Sequence, residues 1–350
     1  MQRRAFLAGA TGLWGTAVLA SPNLLPARRG RYWSAGSDTG AIEVSELRYQ
    51  GVAYSVTYPE LAEDLGYLGP IRLNWVGNTI SGPQDIQATV TRDVDFGGAF
   101  NGSIIRLIAA GAKIKAVVGA LGSDQQTWAG IYVLADSPIR QARDLIGAKI
   151  GVNTLGAQYE FDIATYLQRN GASAEEIARV VEVVLPPLNA EQALREKQID
   201  AVVLTGVLRD MALERGGLRL ITNEYDLYGV LTLAAYVLRT DFIRDAPNAS
   251  RRFVEATARA IDWVQTQPRE EVARRFSSII LRRGRHETDK LVRYWRSYGV
   301  PLRGGLLDDR AFAGFIDWYA KNGSPAIGRL RPQDVYTNAL NPFRPLTEGG

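Results

Sequence analysis

The amino-acid sequence predicts an α/β protein of two lobes. Three observations carry this. Short β-type runs alternate with helical periodicity in one stretch and then again in a second. A wholly helical tail follows them. The length, 350 residues, suits two domains or one large α/β unit better than a small module.

The elements follow in order. Val44 to Val52 is predicted as a strand, Tyr58 to Leu65 as a helix and Ile71 to Val76 as a second strand. Gly82 to Val90 is a helix opened by Gly82-Pro83. Asp95-Phe96-Gly97-Gly98 is a short strand running into Asn101-Gly102-Ser103 and the helix Ile104 to Ala110, and Lys113 to Gly119 is the next strand. The second alternation opens with the strand Gly130 to Leu134 and a turn of helix at Ser137-Pro138-Ile139. Strands at Lys149 to Val152, Val181 to Leu185 and Ala201 to Leu204 are separated by helices at Tyr159 to Asn170 and Ala190 to Glu196. The helix Val207 to Glu214 and the strands Leu218 to Thr222 and Leu231 to Leu238 complete it. Such alternation is the signature of a parallel sheet with covering helices, in which the loops that matter lie at the carboxyl ends of the strands. The tail holds predicted helices at Arg251 to Gln267, Glu270 to Phe276, Thr288 to Tyr298 and Asp309 to Asn322, each with apolar positions three to four apart.

Composition removes several chemistries. Apolar residues make up 46% and charged residues 22%, ordinary for a globular protein. Cysteine is absent, which excludes disulfides, thiolate nucleophiles, Cys-based zinc sites and iron–sulfur clusters. The single histidine, His286, excludes a His-rich metal site and reads as exposed between Arg285 and Glu287. The net charge of +4 is spread along the chain. Its densest cluster, Arg282-Arg283-Gly284-Arg285, reads as a solvated helix end or turn and not as a nucleic-acid patch. Glu175-Glu176 and Glu270-Glu271 begin helices, where carboxylates favour the dipole, so they are not read as catalytic.

The N-terminus reads as an address. Met1-Gln2-Arg3-Arg4-Ala5-Phe6-Leu7 gives a basic start with twin arginines, and a weakly apolar stretch diluted by Gly9, Gly12, Gly15 and Thr16 runs to Ala20. This pattern describes a Tat-type export signal, too dilute to stay as a membrane anchor. Cleavage follows Ala20 or Ala27. Residues 1–27 are therefore expected to be a signal peptide and 28–44 a flexible tether. Lobe I is expected to comprise 45–127 and 235–350, and lobe II 128–234. No cysteine follows the signal to take a lipid, so the mature protein is expected free in a periplasm.

Four motifs in sequence carry a resemblance. Asp95-Phe96-Gly97 is followed by an apolar helix ending Ala109-Ala110-Gly111-Ala112 and a strand. Next comes Ile131-Tyr132-Val133-Leu134-Ala135-Asp136-Ser137-Pro138-Ile139, then Asp144-Leu145-Ile146-Gly147-Ala148-Lys149-Ile150-Gly151-Val152. Downstream stand Leu185-Pro186-Pro187, Ala190 to Leu194 and Ile199-Asp200-Ala201-Val202. Over residues 45–240 the chain resembles the periplasmic substrate-binding proteins of the nitrate, taurine and aliphatic sulfonate ABC transporters. The resemblance implies a type II-like periplasmic binding protein, each lobe a mixed sheet flanked by helices, with a helical C-terminal region. It further implies a monomer that captures a small anion without cofactor, metal or nucleic acid, and delivers it to a membrane permease and its ATPase. Where many relatives carry Trp-Asp-Pro-Tyr after the Asp-Ala-x-Val strand, this chain has Thr205-Gly206-Val207-Leu208. The ligand class therefore stays open among alkanesulfonate or taurine, nitrate, an aromatic carboxylate and a pyrimidine. Service to a periplasmic sensory receptor stays open as well. Relatives of this fold include an enzyme that consumes its own histidine and one with a cysteine nucleophile. Zero cysteines and a lone histidine in a charged helical segment remove both chemistries, so the expectation is no enzyme and no catalytic residue.

The expected ligand contacts follow from that resemblance together with the chemistry of the residues. Asn101, Gly102 and Ser103 open a helix, where N–H groups and the positive dipole end favour an anion; the plain alternative is an ordinary N-cap. Gly156, Ala157 and Gln158 repeat this logic at the main helix of lobe II. Tyr54 is a candidate wall of the cleft, while Thr127 and Trp128 lie near the first crossing between lobes, where Trp128 either covers an organic tail or packs the hinge. Thr205 and Tyr228 complete the candidate set.

Overall fold

The structure, a computed structural model, describes residues 40–322 and 324–345. The expected signal and residues 28–39 of the expected tether lie outside these described residues. Residues 40–44, the end of that tether, are docked on the body. The Glu43 carboxylate accepts from the backbone N–H groups of Asn248 and Ala249, and Ile42 and Val44 pack against the core.

In the first lobe, β1 (Glu46–Gly51) alternates buried and open positions, turning Leu47, Tyr49 and Gly51 inward. It pairs in parallel with β2 (Arg72–Asn78). Between them α1 (Tyr58–Asp64) starts on a capping box in which Thr57 and Glu60 satisfy each other's backbone donors. The helix α2 (Gly82–Thr91) leads to β3 (Phe96–Phe100), α3 (Asn101–Ala109) and β4 (Ile114–Ser123).

The second lobe opens with β5 (Gly130–Leu134), a 3₁₀ turn at Ala142–Leu145, and β6 (Lys149–Val152). There follow α4 (Gln158–Arg169), α5 (Ala174–Ile177), β7 (Val181–Val184), α6 (Pro187–Arg195) and β8 (Ala201–Leu204). The lobe ends with α7 (Gly206–Glu214), β9 (Leu218–Asn223) and α8 (Glu224–Tyr228). The chain then returns to the first lobe as β10 (Leu231–Arg239), followed by α9 (Thr240–Asp245), α10 (Pro247–Thr266), α11 (Arg269–Arg282), α12 (Arg310–Lys321) and α13 (Pro332–Val335).

Both lobes carry mixed pairing. Beside the two-stranded β1-β2 sheet, the strand order is β3-β10-β4 in a second sheet and β7-β6-β8-β5-β9 in a third. The alternation alone suggested parallel strands, and β6 does run parallel to β7 and β8. The exceptions are the strands that carry the chain between lobes. β10 enters against the direction of β3 and β4, and β5 runs antiparallel to β8 and β9. Helices cover the sheets through apolar faces. Phe253 and Ile261 of α10 and Phe276 of α11 close on Leu47, Tyr49, Leu61 and Phe96. Phe312 and Phe315 of α12 close on Ile104, Ile105 and Leu233. In the second lobe, Ile163 and Leu167 of α4 cover Ile131, Val133 and Ile150, and the opposite face of that sheet buries Tyr132 and Val202 under Leu194 and Ala212. Phe161 of α4 packs on Phe315 of α12 with ring centroids 4.5 Å apart, so the lobes share apolar contact beside the crossing segments.

Two expectations shift. The predicted helix Thr288 to Tyr298 is only a 3₁₀ segment, Asp289–Tyr294. Beyond it the chain must run extended, because Tyr298 accepts the Gly122 N–H at 2.8 Å along β4. Gly299 at φ +66° makes that approach possible, since a Cβ there would meet the Gly122 oxygen at 2.3 Å. The turn of helix foreseen at Ser137-Pro138-Ile139 is a side-chain turn, with Ser137 Oγ accepting from the Ile139 N–H.

Candidate functional site

Two helix starts from different sheets face each other. The first is α3, entered from β3 through Phe100 in extended conformation. The second is α4, entered from β6 through residues 153–157. Arg106, in the second turn of α3, donates to the Gly156 carbonyl just before α4. Asn153 Nδ2 donates to the Ile80 carbonyl at 3.3 Å, and the Phe100 and Tyr159 rings lie 6.1 Å apart. Gly156 has φ +68°, and a Cβ there would meet Arg106 Nη1 at 2.8 Å. The position thus needs glycine for both conformation and contact. Ala157 is the buried N-cap of α4.

Several candidate side chains are engaged within the protein. Asn101 is fully buried and its Nδ2 donates to the carbonyls of Thr232 and Ala311, at 2.9 and 2.8 Å, bracketing β10 to the start of α12. Gly102 faces α12, not an open cleft: a Cβ there would lie 2.9 Å from Tyr319 Oη and 3.3 Å from the Phe315 ring. Ser103 is buried and its Oγ lacks a partner, which leaves it a donor to spare. Gln158 Nε2 donates to Asp162 Oδ1 one turn on, at 2.8 Å. Tyr228 Oη donates to the same oxygen at 2.7 Å, and its ring stacks on Phe161.

Thr127 closes a turn with Asp124, whose Oδ1 accepts the Thr127 N–H at 2.8 Å. Trp128 lies under the Arg209 guanidinium, 4.4 Å from its carbon to the ring centroid. Arg209 also donates to the Trp128 and Gln126 carbonyls and pairs with Asp210 at 2.7 Å. At the crossing, then, a guanidinium covers the Trp128 ring. Thr205 is the exposed N-cap of α7 with no side-chain cap bond.

Tyr54 sits at φ +59° and its N–H donates to Glu287 Oε1 at 2.7 Å. That contact corrects the expectation for the arginine cluster. Arg283 and Arg285 are not solvated: their side chains are 8% and 6% exposed. Arg283 pairs with Glu60 and Glu287 and donates to the Ser55 carbonyl at 2.7 Å. Arg285 pairs with Glu60 at 2.8 Å and lies over the Trp75 ring. The turn carrying His286, itself exposed at φ +55°, thereby pins the loop after β1. The sequence signal, two arginines flanking a glycine after a helix, could not separate a solvated end from a buried one.

Sequence reasoning also missed Asp162 and Glu224, both buried within the second lobe. Burial pushes the carboxyl groups of both above their usual range. Asp162 stands four residues after Gln158 between apolar Phe161 and Ile163, a lone acid on a core face and the one trace the sequence offers. A cavity of about 440 Å³ lies elsewhere, between α7 and the 3₁₀ segment, lined by Met211, Glu214, Lys290 and Tyr294 among others. None of the candidate residues lines it, and Glu214 is already bonded to Arg293 and Tyr294.

A family model described as NMT1/THI5 like matches residues 79–271, more than half of the chain. No curated protein matches it. Among solved structures, a protein from Bordetella bronchiseptica RB50 is similar with a TM-score of 0.70 at 19% identity, covering 86% of this chain and 97% of that one. The alkanesulfonate-binding protein SsuA from Xanthomonas axonopodis pv. citri, bound to MOPS, gives 0.63 at 19% identity, covering 86% and 99%. The periplasmic nitrate-binding protein NrtA from Synechocystis PCC 6803 gives 0.64 at 13% identity, covering 86% and 88%. The similar structures are mostly binding proteins, although a desulfurization enzyme shares the architecture. At these identities the likeness is one of fold, the two-lobed α/β fold of periplasmic binding proteins. With its central region under that family model, the chain belongs to the NMT1/THI5-like family.

Proposed function

We propose that this chain is the periplasmic solute-binding component of an ABC importer, and that it captures a small organic anion such as an alkanesulfonate or taurine between the α3 and α4 starts. The observation that carries the reading is Arg106, the cation that reaches from the second turn of α3 to the Gly156 carbonyl just before α4. An anion placed there meets two positive dipole ends and a guanidinium that exchanges a neutral carbonyl for a charge-assisted bond. Ser103 Oγ, buried without a partner, adds a hydroxyl beside the α3 start. Closure of the lobes on ligand, read by a membrane permease and its ATPase, is the mechanism that follows. Export through the Tat pathway is supported by Arg3-Arg4 and the dilute apolar stretch behind them. A non-catalytic role is supported by the lack of cysteine and by the exposed position of the lone His286.

A thermal-shift screen of the mature chain tests this against sulfonates, nitrate, bicarbonate, aromatic carboxylates and pyrimidines. Ligand at 100 times its dissociation constant stabilises the folded state by about 2.7 kcal/mol. A shift with one organic sulfonate, reduced in Arg106→Gln, is the expected result. A shift only with a neutral pyrimidine, or none with any anion, overturns the anion assignment.

A further inference from the structure

Beneath the α4 start two carboxyl groups meet inside the protein. Asp162 of α4 and Glu224 of α8 are 4% and 3% exposed and line the same small cavity. Each is also anchored separately. Glu224 Oε2 accepts the Ala129 N–H at 2.7 Å, while the Glu224 N–H donates to the Ala129 carbonyl at 2.9 Å. Asp162 Oδ1 takes the bonds from Gln158 and Tyr228. One oxygen of each acid, Asp162 Oδ2 and Glu224 Oε1, is left without a donor. Both residues line one cavity of about 10 Å³, roomy enough for a single water at most. Two ionised carboxylates are acceptors only and repel in a dry interior, whereas a single proton between them satisfies both.

We propose that Asp162 and Glu224 share one proton in the folded protein, and that this proton holds the first turn of α4 against the segments crossing between the lobes. Position gives the pair its leverage. Ala129 ends the first crossing, between β4 and β5, and Glu224 begins the second, between β9 and β10. Asp162 is the common acceptor under Gln158 and Tyr228. The charged and titratable groups facing the pair are Arg209 of α7, Tyr159 of α4, Tyr228 of α8 and Tyr319 of α12. Arg209 is already matched by Asp210 at 2.7 Å, so it does not discharge the pair. Burial raises both acids, so the folded chain keeps the proton at pH values where the unfolded chain, with carboxyls near about 4, has released it. The sign follows: the pair's contribution to stability is complete at acid pH and is lost as pH rises through its folded titration.

Glu224→Gln tests this, because the amide keeps an acceptor for Ala129 and supplies a permanent N–H toward Asp162. Infrared difference spectra of the ligand-free protein at neutral pH should show the band of a protonated carboxylic acid that is present in the wild type and lost in Glu224→Gln. Asp85 and Glu182 are raised by burial as well, so the assignment rests on the difference and not on the band alone. The melting temperature of the variant should gain on the wild type as pH rises from about 5 to about 8. Asp162→Asn repeats both readouts from the other side if Glu224→Gln does not fold. Identical carboxyl bands, or a melting gap that does not change with pH, overturn the proposal. Neither readout needs a ligand, so the result is independent of the binding role.

Discussion

Replacing Gly156 by alanine probes the contact between the two helix starts, and its cost divides into two parts. The first is conformational. Gly156 sits at φ +68°, where an L-residue loses about 1–2 kcal/mol. The second is the new methyl, which would meet Arg106 Nη1 at 2.8 Å. That atom ends a flexible, exposed side chain, so it moves away and gives up its bond to the Gly156 carbonyl. A net hydrogen bond is worth about 0.5–1.5 kcal/mol, and exposure places this one near the lower figure. The control is Gly171→Ala, at φ +77° with no atom within 4 Å of its Cβ, which carries the conformational cost alone. Urea unfolding should therefore find Gly156→Ala about 0.5–1 kcal/mol less stable than Gly171→Ala. Arg106→Gln should cost stability in the wild type and nothing further in Gly156→Ala, the non-additivity expected of residues in contact. Equal stability of the two alanine variants, with Arg106→Gln still costly in the Gly156→Ala background, would refute the account of this contact.

Other outcomes follow from the same structure. Glu60→Ala strips the shared partner from Arg283 and Arg285, so denaturant unfolding should show a loss of about 3–5 kcal/mol; a surface-like change below about 0.5 kcal/mol would return those arginines to solvent. Gly102→Val drives a side chain into Tyr319 and Phe315 and should destabilise by about 1–3 kcal/mol in the same assay, even with no ligand present. Burial pushes the Asp85 carboxyl, which accepts the Gly98 N–H at 2.6 Å, up to about 7. The folded chain therefore binds this proton where the unfolded chain does not, and its stabilising share is lost as pH rises from about 4 to about 7. Asp85→Asn should flatten that component of the stability–pH curve, and an unchanged curve would contradict it.

Where the sequence pattern was regular, it located structure well. The run from Gly130 to Leu134 and the helix following Thr205-Gly206 stand where periodicity put them, because alternating or apolar runs bounded by glycine encode burial locally. What escaped depends on distant partners. The segment from Thr288 has helical spacing, yet its far end is held extended by Gly122, more than a hundred residues away. Asn101 and Gly102 look from sequence like an open helix start, and only the approach of α12 shows how their side-chain space is used. Arg106 stands in the second turn of its helix, outside the residues that open it, and only the fold shows that its long side chain covers the distance to Gly156. The buried acids and arginines were the hardest to foresee. Whether a charge is solvated or paired inside is settled by residues such as Glu60 and Glu287, which stand on elements far apart in the chain.

The position of β10 bears on how the chain acquires its structure. This strand lies between β3 and β4 although the whole second lobe separates it from them in sequence. Until residues 231–239 arrive, β3 and β4 have no strand to join them, and each presents an open edge to the solvent. The first lobe therefore cannot close in chain order and must wait for a long loop to be spanned, a slow step in any folding reaction. The second lobe, whose five strands are contiguous in sequence, has no such wait and is free to form first. Chains halted before Leu231 should be prone to edge-to-edge association, while those extended through Arg239 gain the missing centre of the sheet.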